Sequence, residues 1–187
     1  MNIYILRHAS AGVRRINPTL DRKRPLDKEG KRQCLQLAHV LNAMKLHFDV
    51  IVSSPLKRSM QTASLVGTET GYEAQIVPSA ALAPDATFSQ FLKLIKEFAE
   101  FENILLVGHN PNLSGFVGSL LMTPGSTTQA APDGGNGLVA VRLRKCSLAR
   151  LNFAGGLATL QWLLDPRTVR ALYATSTAKS RPKTSRK

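Results

Sequence analysis

The chain has 187 residues, of which 43% are hydrophobic and 20% charged, a composition typical of one ordinary globular domain. This composition excludes a chain that is disordered throughout, a collagen-like chain and a coiled coil. The formal net charge of +13 favours anionic partners, which include nucleic acid, phosphoproteins, phosphorylated metabolites and acidic lipid.

The first two-thirds of the sequence alternates between short apolar runs and segments with helical periodicity. The apolar runs predict four strands, over residues 2–6, 48–53, 74–77 and 103–107. The periodic segments predict four helices, over residues 28–45, over residues 55–70, from Thr87 or Ser89 to residue 100, and over residues 112–121. Asp27 is the expected N-cap of the first of these helices. Ser54 is the expected N-cap of the second, with Pro55 at its first position.

The last third predicts a different pattern. Residues 122–136 are rich in Gly, Pro, Ser and Thr, and we expect a flexible loop there. Three strands are predicted over residues 138–143, 147–153 and 157–163, with Gly155-Gly156 as the turn between the last two. A short helix is expected from Asp165-Pro166. Residues 174–187 carry five basic side chains and no acid, so we expect a disordered tail after a domain of residues 1–173.

This order of elements predicts an α/β fold with three layers. Alternating strands and helices imply right-handed crossovers and a mostly parallel sheet with helices on both faces. The last hairpin is expected to add antiparallel pairing at one edge of the sheet. Because ligands bind beyond the carboxyl ends of the strands in such sheets, the loops after residues 6, 52 and 107 are the expected site.

Those three loops carry two arginines and two histidines. Arg7 and His8 follow the first strand, Arg58 lies in the first turn of the helix after the second strand, and His109 follows the fourth strand. Two guanidinium groups can hold the oxygens of a phosphoryl group bidentately, one imidazole can attack phosphorus, and another can donate a hydrogen bond. Taken singly, Arg58 is more typical of a solvated helix residue, and His109 is more typical of a loop-capping histidine than of a catalyst. Their joint placement indicates a phosphate site.

The same segments resemble the motifs of the histidine phosphatase superfamily. Ile5-Leu6-Arg7-His8-Ala9 is similar to its Leu-Arg-His-Gly signature, residues 53–63 to its second motif and residues 107–111 to its third. Arg24-Pro25-Leu26, followed by Gly30, resembles the SixA-type phosphohistidine phosphatase branch, as do residues 147–151 and 162–166. The resemblance is collinear over about residues 2–170. It departs from the pattern at Ala9, where glycine is usual, and in a basic insert over residues 14–23.

The resemblance implies a phosphoglycerate mutase-like fold and a role for each matched residue. His8 would be the nucleophile that becomes phosphorylated, and Arg7, Arg58 and His109 would complete the phosphate pocket. Arg24 would extend that pocket, or would instead pair with Asp21 or Asp27. Asp21 would orient Arg24 or face the pocket, but we favour a solvated loop acid. Neither a metal nor a cofactor is implied, since the guanidinium groups replace a cation.

A general acid is harder to place from the sequence. Superfamily members that hydrolyse phosphate monoesters use an acid after the third strand, where this chain has the short segment 78–87 with Asp85 as its only carboxylate. An alkoxide leaving group needs a proton, whereas the imidazole of phosphohistidine needs less help. The short segment therefore favours a phosphohistidine or other phosphoprotein substrate. Asp85 is either the general acid or an ordinary loop aspartate.

We therefore expect a metal-independent phosphatase of phosphohistidine-bearing or other phosphorylated proteins. The alternatives are a phosphatase of small phosphorylated metabolites and a phosphate-binding module without turnover. One Trp, three Tyr and no recognisable binding motif argue against a nucleic-acid partner. The sequence has no run of about 20 apolar residues and no secretory signal, so we expect a cytoplasmic protein without a membrane partner. Cys34 and Cys146 are expected to be buried free thiols.

Overall fold

The computed structural model describes residues 1–122, 140–155 and 157–179. Six strands are present in this part of the chain: β1 (Asn2–Arg7), β2 (Val50–Ser53), β3 (Val77–Pro78), β4 (Asn103–Gly108), β5 (Leu148–Ala154) and β6 (Leu157–Leu164). Six α-helices accompany them: α1 (Pro18–Arg22), α2 (Lys28–Ala43), α3 (Lys57–Glu69), α4 (Phe88–Glu97), α5 (Asn112–Leu120) and α6 (Pro166–Lys179). A 3₁₀ turn over Ala80–Leu82 follows β3.

The strands form one sheet in the order β3-β2-β4-β1-β5-β6. The first four strands in the chain pair in parallel, and β5 pairs antiparallel with both β1 and β6. The predicted α/β fold with an antiparallel hairpin at one edge is therefore confirmed. Its consequence for function is geometric: β1, β2 and β4 are neighbours, so the loops that follow them meet at one edge of the sheet.

Two apolar cores lie on the two faces of the sheet, because side chains alternate along each strand. Ile3 and Ile5 of β1 face the core that α4 and α5 cover, whereas Tyr4 and Leu6 face the core that α2, α3 and α6 cover. All six residues of β4 are buried. A central strand that is covered on both faces has a continuous run of apolar residues. This run is the reason why the sequence predicts β4 clearly.

The segment before β5 differs from the prediction. Residues 140–143 are not a strand, while residues 123–139, which include most of the predicted flexible loop, lie outside the described residues. The carbonyl group of Leu143 accepts hydrogen bonds from the side chains of Arg7 and Asn110 instead of joining a ladder. Cys146 then turns the chain into β5 with a φ of 63°. Gly156, one half of the predicted turn, also lies outside the described residues.

Two helix starts also differ from the prediction. The basic insert, where the sequence predicted no helix, contains α1, whose first amides are capped by the side chain of Asn17. Helix α3 begins at Lys57 rather than Pro55, with Leu56 at the N-cap position. Ser54 is therefore not the N-cap of α3. Its hydroxyl group instead contacts the side chain of His109. Asp27 caps α2 as predicted, accepting a hydrogen bond from the amide of Gly30.

The C-terminal helix is longer than predicted. Residues 174–179, assigned by the sequence to a disordered tail, continue α6. The hydroxyl group of Ser176 lies 2.9 Å from Nε2 of His39 in α2, and the ring of Tyr173 packs edge-on against that imidazole. These contacts stabilise the helix although its sequence there is polar. The prediction for residues 180–187 lies outside the described residues.

Within the described ranges, no helix is both long and apolar enough to cross a membrane.

Cys34 and Cys146 are both free and buried, as predicted. They are neighbours in space although they are far apart in sequence: a hydrogen bond with Cys34, together with burial, raises the pKa of the Cys146 thiol.

Candidate active site

His8 lies just beyond the carboxyl end of β1 and is 7% exposed. Its Nδ1 atom is 2.7 Å from the carbonyl oxygen of Ala9. A carbonyl oxygen can only accept a hydrogen bond, so Nδ1 carries the ring proton. The proton-free atom is therefore Nε2, and the structure shows no hydrogen bond from it to any described residue. His8 thus presents an unprotonated nitrogen at the edge of the sheet.

Two guanidinium groups lie at the same edge. Arg7 ends β1, and its Nη1 atom donates to the carbonyl oxygen of Leu143 at 2.8 Å. Arg58 is the second residue of α3 and is 6% exposed. Its Nη1 atom donates to the carbonyl oxygen of Asp21 at 2.9 Å. Each of these hydrogen bonds uses one nitrogen and fixes the side chain, which leaves other donors of the group available to an anion.

His109 follows β4, and its ring lies 4.9 Å from the ring of His8, measured between centroids. Its Nε2 atom is 2.8 Å from Oγ of Ser54 and 3.2 Å from Oγ of Ser59. Ser54 Oγ also accepts the amide hydrogen of Leu56, so its own proton is available to Nε2. In that tautomer, Nδ1 of His109 is an N–H donor. The serine pair was missed at the sequence level, where Ser54 was assigned to helix capping.

Three buried nitrogens around His8 have no hydrogen-bond partner in the described structure: Nε of Arg7, Nε of Arg58 and Nδ1 of His109. Buried polar atoms in native proteins are nearly always paired, so an unpaired one requires an explanation. All three belong to residues that the sequence assigned to a phosphate pocket. A bound anion would supply the acceptors that these nitrogens lack.

The electrostatics of the site disfavour a positive charge on either ring. Burial, followed by the charges of Arg58, Arg7 and Arg24, lowers the pKa of His8 to about 3. Burial, His8 and the same arginines lower the pKa of His109 to about 2. Burial also lowers the pKa of Arg7 and of Arg58 from the ordinary arginine value. Neutral imidazoles among guanidinium groups suit a doubly charged anion and a nitrogen nucleophile.

The second sequence motif supports the loop that carries His8. Oγ1 of Thr62 accepts the amide hydrogen of Ala9 at 3.1 Å and donates to the carbonyl oxygen of Arg58 at 2.8 Å. Oε1 of Gln61 accepts the amide hydrogen of Leu26 at 2.8 Å. The Gln-Thr pair therefore holds α3 against the loop that carries His8 and against the Arg-Pro-Leu segment, which links the first two motifs.

Gly30 allows α2 to approach the same loop. A Cβ atom at this position would lie 1.9 Å from the carbonyl oxygen of Ser10, so only glycine fits. The side chain of Asp27 also holds this loop, because it accepts hydrogen bonds from the hydroxyl group of Ser10 and from the amide of Gly12. The chain after His8 is therefore fixed by backbone contacts as well as by side chains.

Arg24 pairs with Asp21, which is one of the roles that the sequence left open for Arg24, whereas Asp21 is not the solvated acid that the sequence favoured. Asp21, predicted to be a solvated acid, accepts from Nε of Arg24 at 2.9 Å and lies 3.6 Å from Nη1 of Arg58. Nη1 of Arg24 donates to the carbonyl oxygens of Ala11 and Gly12. Asp21 is thus an internal partner of two arginines. Arg24 holds the insert while its charge acts on His8, and a direct contact between Arg24 and substrate stays a prediction.

Asp85 lies on the turn between the 3₁₀ turn and α4. The carbonyl oxygen of Leu82 faces Gly108, and Asn112 donates to the carbonyl oxygen of Ala86, so this segment packs near the end of β4. The Asp85 side chain is exposed and makes no hydrogen bond or ion pair with any described residue. The structure therefore brings Asp85 to the correct edge of the sheet without positioning its carboxylate.

No group of three or more His, Cys, Asp or Glu side chains suited to a metal ion occurs in residues 1–122, 140–155 and 157–179. The charges that surround His8 belong to arginines, which bind anions rather than cations.

The sequence is similar to one known family. Residues 3–82 match the model of the histidine phosphatase superfamily (branch 1), a range that contains Arg7, His8 and Arg58. An uncharacterised protein of Picosynechococcus sp. (strain ATCC 27264 / PCC 7002 / PR-6) is 35% identical over 116 residues, which are 60% of this chain and 68% of that protein.

The fold is similar to those of solved phosphatases. The structure of the protein histidine phosphatase SixA complexed with tungstate matches with a TM-score of 0.75 at 20% identity, over 90% of this chain and 99% of that one. The alpha-ribazole phosphatase from Shigella flexneri matches with a TM-score of 0.63 at 16% identity, over 89% of this chain and 97% of that one. At these identities the two structures show a shared fold.

Proposed function

Because the chain belongs to the histidine phosphatase superfamily, we propose that it is a phosphatase that works through a phosphorylated His8, and that its substrate is a phosphohistidine-bearing protein. The observation that carries the proposal is the tautomer of His8. Its Nδ1 proton is held by the carbonyl oxygen of Ala9, which leaves the lone pair of Nε2 beside two guanidinium groups.

The first chemical step follows from this arrangement. Arg7 and Arg58 bind the oxygens of the phosphoryl group, and the unpaired nitrogens of both residues and of His109 complete the contacts. Nε2 of His8 attacks phosphorus, an N–P bond forms, and the bond from phosphorus to the leaving group breaks. The electron pair of that bond goes to the leaving group. The guanidinium groups and His109 hold the charge of the transferring phosphoryl group.

The second step hydrolyses the phosphorylated enzyme. A water molecule attacks phosphorus, the N–P bond to His8 breaks, and its electron pair returns to Nε2. One water is consumed overall, and inorganic phosphate leaves. The hydrogen bond from Nδ1 to Ala9 keeps the ring in one orientation through both steps.

The choice of substrate rests on the leaving group. An alkoxide requires a well-placed proton donor, and Asp85, the carboxylate available in segment 78–87, is exposed and without a partner among the described residues. Imidazole leaves phosphohistidine with less help. This difference favours phosphohistidine, and the fold shared with the protein histidine phosphatase SixA supports the same choice.

A second candidate is a phosphatase of small phosphorylated metabolites. It is favoured by the position of Asp85 on a turn that packs near the end of β4, from which a change in loop conformation could bring the carboxylate to a leaving group. The fold shared with an alpha-ribazole phosphatase is consistent with this candidate.

A phosphate-release panel separates the two candidates. Wild type, His8→Ala and Asp85→Asn are assayed on a phosphohistidine protein, p-nitrophenyl phosphate and sugar phosphates, with Glu73→Gln as a matched control because Glu73 is also exposed. We expect His8→Ala to be inactive and Asp85→Asn to retain phosphohistidine turnover. Loss of sugar-phosphate turnover in Asp85→Asn, with sugar phosphates as the best substrates of wild type, would establish the second candidate.

The proposed chemistry uses arginines instead of a metal ion. Incubation with a chelator is therefore expected to leave phosphate release unchanged. Strong inhibition that added divalent metal reverses would contradict this scheme.

A further inference from the structure

The loop that follows the nucleophile exposes apolar side chains to solvent. Val13 is 88% exposed, Ile16 is fully exposed and Leu20 is 52% exposed. Single exposed apolar residues are common on protein surfaces, but a group of them within residues 13–20 indicates a site of interaction. We refer to the exposed side chains Val13, Arg14, Arg15, Ile16, Leu20, Arg22 and Lys23 as the insert surface.

Hydrogen bonds hold the loop in this conformation. Oδ1 of Asn17 accepts the amide hydrogens of Thr19 and Leu20. Oδ1 of Asp21 accepts the amide hydrogen of Arg15 as well as Nε of Arg24. The apolar side chains are therefore held in exposed positions by a hydrogen-bonded loop, and they are not exposed because the loop lacks structure. A preorganised loop loses less conformational entropy when it binds a partner.

The insert surface borders the phosphate pocket. Arg58 donates to the carbonyl oxygen of Asp21 in α1, so the catalytic arginine and the insert are in direct contact. The charge of Arg14 is close enough to lower the pKa of Arg58, after burial and Arg24. A cavity of about 500 Å³ lies beside the surface, lined by Ala11 to Arg15 and by Arg24 to Asp27. A protein that places its phosphorylated residue in the pocket would reach this cavity.

The charges of the insert surface identify the partner. Four exposed cations, Arg14, Arg15, Arg22 and Lys23, lie next to the apolar residues in the sequence. The carboxylate of the loop, Asp21, is instead engaged with Arg24 and Arg58. Such a surface complements a segment that carries both carboxylates and apolar side chains.

We propose that the insert surface is the docking site for an acidic, amphipathic segment of the phosphoprotein substrate, next to its phosphorylated residue. This inference rests on the proposed function, which it deepens by stating how the substrate protein is recognised. Apolar contacts with Val13, Ile16 and Leu20 supply affinity, and the cations supply steering that weakens as salt rises.

Two sets of substitutions test the proposal in the full chain. The apolar set is Val13→Ser, Ile16→Ser and Leu20→Ser. Its matched control is Leu35→Ser, Met44→Ser and Leu172→Ser. These control residues are exposed and apolar, and they lie in α2, in the turn after α2 and in α6. The charge set is Arg15→Gln, Arg22→Gln and Lys23→Gln, and its control is Lys45→Gln, Lys93→Gln and Lys96→Gln, which are exposed elsewhere.

Turnover and binding are measured separately. We expect both sets to raise KM for a phosphohistidine protein with an acidic surface about tenfold or more, while p-nitrophenyl phosphate turnover and both controls stay at the wild-type level. The same sets are expected to weaken binding of that protein to His8→Ala by a similar factor. Added salt is expected to weaken binding to the wild-type surface more than to the charge set.

The outcomes distinguish this inference from the proposed function. If wild type releases no phosphate from phosphohistidine proteins, but binding of the phosphoprotein depends on the insert surface, the proposed function is wrong and the docking site stands. If binding is unchanged by both sets, the docking site is wrong whatever the turnover. It is also overturned if the apolar set instead abolishes dimerisation or binding to phosphatidylserine vesicles, because the surface then serves a second copy or a membrane.

Discussion

At the residue scale, the burial of His8 determines how the proposed nucleophile responds to pH. Burial and the neighbouring arginines lower the pKa of His8 to about 3 from the ordinary 6.5, so the free enzyme keeps Nε2 unprotonated in weak acid. Protonation of this ring would remove the lone pair that attacks phosphorus and would therefore reduce activity. The structure moves that effect well below the ordinary histidine range.

NMR titration of the free enzyme measures this directly. The ring signals of His8 are expected to stay constant from pH 8 to about pH 4.5, because the ring remains neutral there. Bound anions raise the pKa, so the titration is made without phosphate. An inflection near 6.5 would show that His8 is not desolvated as the structure indicates.

Ser54 positions His109, and its removal is expected to affect the chemical step. Loss of the 2.8 Å hydrogen bond to Nε2 in Ser54→Ala is expected to lower kcat about tenfold, in line with about 1.4 kcal/mol for a buried hydrogen bond, with little change in KM. Ser53→Ala is the matched control, because Ser53 is equally buried but donates to the carbonyl oxygen of Ser54. Equal losses in both variants would assign Ser54 a purely structural role.

The planar group of Arg58 is expected to matter more than its charge. Arg58→Lys retains a cation but loses the fork that can bind Asp21 and two phosphate oxygens at once. We expect kcat/KM for p-nitrophenyl phosphate to fall by a factor on the order of 10² or more. Activity within a few-fold of wild type would mean that a point charge is sufficient at this position.

At the element scale, the position of the loop that carries His8 depends on close packing between α2 and the backbone of Ser10. Helices usually tolerate alanine better than glycine, and propensity alone would therefore favour Gly30→Ala. The contact reverses this preference, because the added Cβ atom would meet the carbonyl oxygen of Ser10 at 1.9 Å, and neither backbone can yield without moving α2.

A pair of glycine substitutions separates the two effects. Gly30→Ala is expected to lower the free energy of unfolding by about 1–3 kcal/mol or more and to reduce turnover, since the His8 loop must shift. Gly115→Ala in α5, where an added Cβ has no neighbour within 4 Å, is expected to stabilise the protein by about 0.5–1 kcal/mol. Chemical denaturation of both variants provides the measurement, and a neutral Gly30→Ala would contradict the packing.

At the scale of the whole molecule, two buried neutral histidines make the fold sensitive to acid. The pKa values of His8 and His109 are lowered by burial to about 3 and about 2, whereas the unfolded chain has the ordinary value of 6.5. Below pH 6.5 the unfolded state therefore binds protons that the folded state does not, and stability falls as pH falls.

Burial alone would raise the pKa of Asp21 and of Asp27, but their hydrogen bonds lower it below 3.8. Their contribution is therefore lost only in stronger acid.

This linkage predicts a slope in the stability curve. Between pH 6 and pH 4, the free energy of unfolding is expected to fall by up to about 1.4 kcal/mol per pH unit for each of the two rings. The double variant His8→Asn and His109→Asn is expected to flatten the curve over this range. Urea denaturation at each pH measures it, and an unchanged slope in the double variant would place the acid sensitivity elsewhere.

The sequence by itself determined the α/β fold and the candidate residues of the site. Strands β1 and β4 are buried on both faces, so their apolar runs are local signals, and Arg7, His8 and His109 follow directly from where those strands end. Arg58 was placed by the first turn of a helix, which is also a local signal. The C-terminal part of α6 was missed because its polar residues are stabilised by contacts with His39 and not by their own pattern.

Only the tertiary structure decided how these residues are held. Ser54 contacts His109 from 55 positions away, Asp21 contacts Arg58 from 37 positions away, and Leu143 binds Arg7 from 136 positions away. Each contact depends on strand register and on the close approach of helices, which no local pattern in the sequence encodes. The tautomer of His8 is set by the carbonyl group of the next residue, Ala9, but the conformation of the loop that carries them depends on distant contacts with Thr62 and Gly30. The sequence therefore identified the chemical groups, and packing determined their geometry, protonation and neighbours.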